Sequence, residues 1–327
     1  MNWSGRSLAG GCFAVIAALG AWAEQGHAQT YPTRNITMIV PFAAGGPTDV
    51  IARIVTGHMA QTLGQAIIIE NVVGAGGTTA TTRAARATND GYTLITGHMG
   101  THAASVPLYP KLAYHPEKDF EPVSLLAGTP ILILARKDFP PKDLKEFITY
   151  VKANESKVNA AHAGIGSVSH ASCQLLEAIL KVKPISVPFN GTGPAMNALV
   201  AGQVDYMCDQ IVNAVPQITG GTIKAYAIAT PERNPSLPNI PTTKEAGLPE
   251  FQAQAWNAIF APKGTPPEII QKLNAAAVKA LDDEGVRKRL ADLGSVVPAA
   301  ADRTPQALGA LVKSEIAKWT PVLKPAN

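Results

Sequence analysis

The run PFAAGGPTD at residues 41–49 lies between an apolar stretch, ITMIV at 36–40, and an amphipathic one, VIARIVTGHMAQTL at 50–63. That order predicts strand, glycine loop, helix. Val50, Ile51, Ile54, Val55, Met59 and Leu63 recur at helical spacing, and Gly64 follows as a stop. Gly45 and Gly46 let the backbone turn tightly beside a ligand, and Thr48 or Asp49 is expected to cap the helix. The start of such a helix presents unpaired N–H groups and the positive end of the helix dipole, so an anion is its natural guest.

The chain repeats this device. GAGGTT at 74–79 follows a strand-like run at 66–70, and GHMGTH at 97–102 follows another at 92–96. GIGSVS at 164–169 and NGTGP at 190–194 stand after two more, at 158–163 and 185–189. None of the five loops contains Lys or Arg. If they converge on one cleft, an anionic ligand there is held by backbone N–H groups, hydroxyls and water rather than by a salt bridge.

The chain has 327 residues, 46% of them hydrophobic and 16% charged, which suits one large or two medium domains with packed cores. Residues 1–28 read differently: Arg6 makes a positive start, residues 8–23 are largely apolar, and Gly26 to Ala28 offer a small-x-small cleavage site. This pattern predicts a secretory signal peptide, since the apolar run falls short of the ~20 residues that a spanning helix needs. Its removal takes away Arg6 and Glu24 together, so the formal charge stays at +4. The basic residues are scattered, and no nucleic-acid partner is expected. Export leaves two cysteines, Cys173 and Cys208. An oxidising compartment permits a bridge between them, but two small buried thiols are the expectation.

Residues 31–126 alternate strand and helix three times, which argues for a parallel sheet with covering helices. Residues 123–136 are apolar almost throughout, broken only by GTP at 128–130, and suit a chain crossing between two domains. A second α/β series runs to residue 230, ending in an alternating strand at 224–230. Proline-rich coil follows at 231–249. One more buried strand, at 255–261, precedes a helix start at Thr265, Pro266, Pro267 and Glu268 that reads as a capping box. The remainder is helical. A lone strand before helices has no sheet of its own, so it is expected to return to the first domain, giving two lobes joined by two crossings with a cleft between them.

Several chemistries are excluded by pattern. There is no P-loop and no nucleophile elbow, and GIGSVS lacks the last glycine of a dinucleotide fingerprint. No zinc spacing occurs among the cysteines and histidines, so His98, His102, His162 and His170 are expected to be structural or to line a ligand. Asp49 and Asp209 sit near loops or strand ends. They are read as caps or as groups orienting loop N–H groups and water, not as an acid–base pair.

The residues also carry a resemblance. YPTRNITMIVPFAAGGPTDVIAR at 31–53, VGAGG at 73–77, DGYTL at 90–94, GTHA at 100–103 and YPKLAYHPEKDFEPVSLL at 109–126 form its first half. VPFNGTGPAMNALVAGQVDYMCD at 187–209, NPSLPNIPTTKEAGLPEF at 234–251 and FAPKGTPPEIIQKLN at 260–274 form its second. Together they resemble the substrate-binding proteins of tripartite tricarboxylate transporters, the Bug family, across residues 31–319. The resemblance implies an α/β, two-lobed periplasmic binding protein of the type II fold, with the ligand in the cleft between lobes. It implies a signal peptide at 1–28, a discontinuous first lobe of residues 29–128 plus 256–327, and a second lobe of residues 129–255.

It further implies a periplasmic receptor, not an enzyme, that captures a small carboxylate and delivers it to the membrane subunits of such a transporter. Presentation to a sensor kinase is the alternative role, and a secreted carboxylate-processing enzyme is a more remote one. No cofactor and no metal are implied, and a monomer is expected. By similarity the ligand is met by Phe42, Ala43, Ala44, Gly45, Gly46, Thr48 and Asp49, by Gly76 and Gly77, and by Gly97, Thr101 and His102. From the other lobe come Ser167, Ser169, His170, Gly191, Thr192 and Asp209. Phe189, Asn190, Asn213 and His98 depart from the usual pattern, so the choice of carboxylate is left open among citrate, short dicarboxylates, aromatic carboxylates and acidic amino acids.

Overall fold

A computed structural model describes residues 1–3 and 31–323, so the leader expected at 1–28 lies, from residue 4 on, outside the described residues. The chain opens with β1 (Ile36–Val40), α1 (Pro47–Leu63), β2 (Ile67–Asn71), α2 (Thr78–Ala85) and β3 (Thr93–His98). A wide, π-type helical turn at Gly100–Ala104 leads into the short α3 (Ser105–Leu108). There follow β4 (Phe120–Arg136), α4 (Leu144–Asn154), β5 (Asn159–His162), α5 (Val168–Leu180), β6 (Ile185–Pro188), α6 (Thr192–Val200), β7 (Tyr206–Gln210), α7 (Ile211–Thr219) and β8 (Ile223–Ile228). The chain ends with β9 (Gln254–Pro262), α8 (Pro267–Asp282), α9 (Glu284–Asp292) and α10 (Pro305–Leu323).

The strands form one curled array in the order β2-β1-β3-β9-β4-β7-β5-β6, with β8 also on β4. The parallel sheet expected from the alternation is present twice, as β2-β1-β3 and as β7-β5-β6. Between them β4 and β9 run antiparallel to each other from Phe120↔Pro262 to Pro130↔Gln254. The strand expected at 255–261 pairs with β3 on its other side, for example Ile95↔Phe260. Beyond Pro130, β4 leaves β9 and pairs with β7 and β8, from Ile131↔Gln210 and Leu132↔Ile228 onward.

GTP at 128–130 does not interrupt β4, because Gly128 exchanges both backbone hydrogen bonds with Val296, each 2.8 Å long. A glycine and a proline are tolerated where a strand passes from one sheet to another and side-chain packing does not decide. The result is two α/β lobes strung on β4 and β9.

Each parallel group is covered by helices. Ile51, Val55 and Met59 of α1 are fully buried together with Leu273, Ala276, Ala277 and Ala280 of α8. Burying each large side chain of this kind contributes about 1.5–3 kcal/mol relative to exposure. The C-terminal helix is fastened by a shared acceptor: Glu315 Oε2 takes N–H bonds from Trp256 of β9 at 3.3 Å and Trp319 of α10 at 3.0 Å. Cys173 and Cys208 are free, buried thiols, and the Cys208 N–H donates to Cys173 Sγ at 3.0 Å.

Two expected caps are built differently. Gly46 is the N-cap of α1, so Thr48 and Asp49 lie inside the first turn and cap nothing. Pro266 is the N-cap of α8, and Thr265 Oγ1 donates to the Pro262 carbonyl at 2.7 Å instead of taking a bond from the helix. In both cases a proline at the helix start removes one of the N–H groups that a cap would serve. Among the described residues no helix is long and apolar enough to cross a membrane.

Candidate functional site

Three helix starts converge between the lobes. Gly46, Pro47, Thr48 and Asp49 open α1, Ser167, Val168 and Ser169 open α5, and Thr192 opens α6. With Phe42, His98, Ala163 and Gln210 they line a narrow cavity of about 20 Å³. Among the described residues no Lys or Arg lines this cavity.

The helix starts differ in how their N–H groups are occupied. At α5 the Ser167 hydroxyl accepts from the His170 N–H at 3.2 Å, while Ser169 Oγ accepts from the Ala163 N–H at 3.0 Å. At α1 and α6 the N-caps are glycines, Gly46 and Gly191, and no side chain caps either helix. Their first N–H groups are therefore the ones left for an anion, where the helix dipole favours negative charge by about 0.3–1 kcal/mol at an exposed end and up to ~2 in a partly buried one. The buried hydroxyls of Thr48 and Thr192 make no side-chain hydrogen bond among the described residues and stand at the cavity wall.

Among the described residues Asp49 is the only carboxylate in the wall. Its Oδ2 accepts from the Gly45 N–H at 3.0 Å and from Arg53 Nε at 2.9 Å, and its Oδ1 accepts from Asn71 Nδ2 at 2.9 Å. Burial alone would raise its pKa, but the bonds from Arg53, Gly45 and Asn71 together outweigh it and hold the carboxyl below its ordinary value. Asp49 thus braces the loop in which Gly45 takes a φ of +85°. Asn71 Nδ2 also donates to the Phe42 carbonyl at 2.9 Å, fastening the start of that loop.

His98 and Gln210 face the cavity from opposite lobes. His98 Nδ1 accepts from the N–H groups of Gly100 at 2.8 Å and Thr101 at 3.3 Å, which leaves Nε2 as the protonated nitrogen of a neutral ring. Burial lowers its pKa to about 3, and the ring stacks on Phe42 at 5.1 Å. Gln210 Oε1 accepts from Thr129 Oγ1 at 2.7 Å and Asn257 Nδ2 at 3.0 Å. Those partners belong to β4 and β9, the two strands that join the lobes.

The lobes touch around this site. The Ala43 N–H donates to the Asn190 carbonyl at 3.1 Å, and Tyr109 Oη reaches the Ile165 carbonyl at 2.6 Å. Gly76 and Gly77 line a wider groove beside the cavity, with Phe42 common to both.

Of the residues expected to meet the ligand, Phe42, Gly46, Thr48, Asp49, Ser167, Ser169 and Thr192 form the cavity wall. Ala43, Ala44, Gly45 and Gly191 shape the loops behind it. The other expected residues lie elsewhere. His102 is fully buried, its ring stacked on Phe260 at 4.0 Å and beside Phe120 at 5.0 Å, with Gly97 packed against its edge. Burial holds that imidazole neutral, well below its ordinary pKa.

Thr101 bonds to His102 Nδ1 at 2.9 Å and stands behind Gly77. His170 is turned to the Gly166 N–H, at 3.3 Å, and to His162, 4.8 Å between ring centres. Asp209 is wholly buried one residue before Gln210. Its Oδ2 accepts from Asn213 Nδ2 at 2.8 Å, its Oδ1 has no partner among the described residues, and burial raises its pKa to about 7. Gln210 and Ala163 are wall residues that lie outside every stretch expected to meet the ligand. Strand alternation was the available signal for Gln210, since neighbours on a strand face opposite ways.

Two α/β lobes meeting over a small cavity walled by helix starts define a solute-binding protein. Residues 51–327 match the tripartite tricarboxylate transporter family receptor, and the chain belongs to that family. MatC (Rpa3494) from Rhodopseudomonas palustris, solved with bound malate, is similar at 60% identity and a TM-score of 0.88, over 90% of this chain and 100% of that one. The periplasmic binding protein BugD is 43% identical with a TM-score of 0.87, over 90% and 98% of the two chains. R. palustris Rpa4515, solved with adipate, is 32% identical with a TM-score of 0.85, over 90% and 97%. Among the described residues no cluster of three or more His, Cys, Asp or Glu side chains is placed to hold a metal.

Proposed function

We propose that this protein is a periplasmic receptor that closes on a short dicarboxylate, of malate to adipate size, and delivers it to the membrane subunits of a tripartite tricarboxylate transporter. The observation that carries the reading is the cavity wall itself: two uncapped helix starts, two threonine hydroxyls and, among the described residues, no cation. Such a wall favours a carboxylate, because backbone N–H groups at helix starts are fixed donors in the positive field of the dipole. Malate in MatC and adipate in Rpa4515 support the ligand class.

In this reading residues 1–28 direct export and are removed. Residues 29–128 with 256–327 act as one lobe and residues 129–255 as the other, and the ligand selects the form in which they touch. The protein then binds and releases its guest unchanged, which separates a receptor from an enzyme. A thermal-shift screen of the mature chain against succinate, malate, adipate, citrate and benzoate tests it. A ligand present at 100 times its dissociation constant adds about 2.7 kcal/mol of stability. A shift with the dicarboxylates and their recovery intact is the expected result; a shift with sugars or metal ions alone would reject the ligand class.

A further inference from the structure

Gln210 offers the cavity only its amide nitrogen. Its oxygen is engaged by Thr129 Oγ1 and Asn257 Nδ2, both from the strands joining the lobes, so the side chain is held in one orientation and Nε2 has no partner among the described residues. His98 is in the same position on the other lobe: Nδ1 is engaged by Gly100 and Thr101, and Nε2–H is what remains. Both residues are almost wholly buried and both line the cavity. Asp49, the only carboxylate in the wall among the described residues, accepts bonds from Gly45, Arg53 and Asn71. The cavity therefore presents N–H donors from both sides, and the carboxylate in its wall is already paired with the Arg53 guanidinium.

We infer that Gln210 and His98 are specificity-determining donors, one per lobe, which make the cavity select dicarboxylates bearing oxygen or hydrogen substituents over their α-amino counterparts. The inference rests on the proposed dicarboxylate function and names the subclass. A hydroxyl or carboxylate oxygen accepts from these N–H groups. An ammonium group in the same place brings donors against donors and loses its water without a charged acceptor, which is costly in a buried site. Selection then works by rejection as much as by attraction.

The test is calorimetric titration of L-malate, succinate and L-aspartate into the mature protein, its Gln210→Glu and Gln210→Ala variants, and His98→Asn. The buffer is held near pH 6, on the neutral side of the buried Asp209 carboxyl. Gln210→Glu keeps an oxygen for Thr129 and Asn257 and replaces the cavity donor by an acceptor, while Gln210→Ala removes the donor without adding a charge. His98→Asn keeps an acceptor for the Gly100 N–H. Circular dichroism confirms that each variant is folded.

The wild type is expected to bind malate at least ~100-fold more tightly than aspartate, and Gln210→Glu to reduce that ratio at least ~10-fold. Gln210→Ala and His98→Asn should each weaken malate while changing the ratio less. A purely structural role for Gln210 would weaken both ligands alike and leave the ratio in place. Equal affinity of the wild type for malate and aspartate, or an unchanged ratio in both folded Gln210 variants, overturns the inference while leaving the dicarboxylate reading intact. If the wild type binds neither malate nor succinate, the functional reading falls and this inference with it.

Discussion

Tyr109 Oη lies 2.6 Å from the carbonyl oxygen of Ile165, a hydrogen bond that spans the cleft from one lobe to the other. The same hydroxyl is 3.0 Å from the Ala75 carbonyl on its own side. A bond of this kind exists only when the lobes touch, so its energy belongs to the closed form and not to the folding of either lobe. A ligand that requires closure gains from it.

Removing the hydroxyl should therefore act on affinity. Tyr109→Phe is expected to weaken dicarboxylate binding by about 2- to 10-fold, the worth of one neutral hydrogen bond, while leaving the melting temperature of the unliganded protein nearly unchanged. Calorimetric titration and a thermal melt without ligand check the two halves. A lower melting temperature with unaltered affinity would assign the bond to folding instead.

Gly76 tests closure more severely. It takes a φ of +61°, and a Cβ placed there would overlap the Ile165 carbonyl of the opposite lobe. Gly76→Ala should lower the stability of the ligand-free protein by only about 1–2 kcal/mol, the cost of a side chain in left-handed backbone. Its effect on binding should be far larger, at least ~100-fold, because the lobes cannot meet. Small-angle scattering with saturating malate would show compaction for the wild type and none for the variant.

Gly46 probes the helix starts without backbone strain, since its φ of −82° suits any residue. A Cβ there would lie 3.2 Å from Thr192 Oγ1 and 3.6 Å from the Gly193 N, in the seam between the α1 and α6 starts. Gly46→Val is expected to cost at least ~10-fold in affinity while the folded state loses no more than ~1 kcal/mol, the usual size of an N-cap change. Wild-type affinity in this variant would show that the seam is not where the anion sits.

Asp209 makes a prediction in pH. Burial raises its folded-state pKa to about 7, above the ~3.9 expected in the unfolded chain. Below pH ~4 both states hold the proton. Between pH ~4 and ~7 the unfolded chain has released it and the native state has not, so stability falls across this window and levels off above it. Asp209→Asn keeps a partner for Asn213 and removes the titration. Its melting temperature relative to wild type should rise from pH 4 to pH 7 and then stay constant. Glu177, which burial also raises to about 7, contributes the same trend to both proteins and cancels in the difference. A difference independent of pH would mean that Asp209 is ionised in the native state.

The first βα unit was legible because one stretch held three independent signals: an apolar run, two glycines and a 3.6-residue period. The orphan strand was legible from what followed it, since helices alone give β9 nothing to pair with, and it does pair with β3. The continuity of β4 was hidden, because Gly128 is held in the sheet by Val296, 168 positions later in the chain. Site residues divided along the same line.

Loop residues at helix starts could be named from glycine and hydroxyl content, whereas the histidines could not be told apart. His98 and His102 are four residues apart, yet the π-type turn at Gly100–Ala104 sends one ring to the cavity and the other into an aromatic cluster with Phe260. At the end of β7 the charge of Asp209 drew attention away from its neighbour, Gln210. The carboxylate faces Asn213 of α7, and the uncharged Gln210 beside it reaches the cavity.

The central claim is that a dicarboxylate is held between the lobes by helix starts and neutral side chains without a salt bridge. The most direct measurement is a crystal structure of the mature protein with malate. A ligand carboxylate within about 2.7–3.2 Å of backbone N–H groups at the starts of α1 and α6, with every Lys and Arg nitrogen beyond salt-bridge distance, is the predicted result. A Lys or Arg nitrogen paired directly with a ligand carboxylate, or malate bound away from these helix starts, would contradict it.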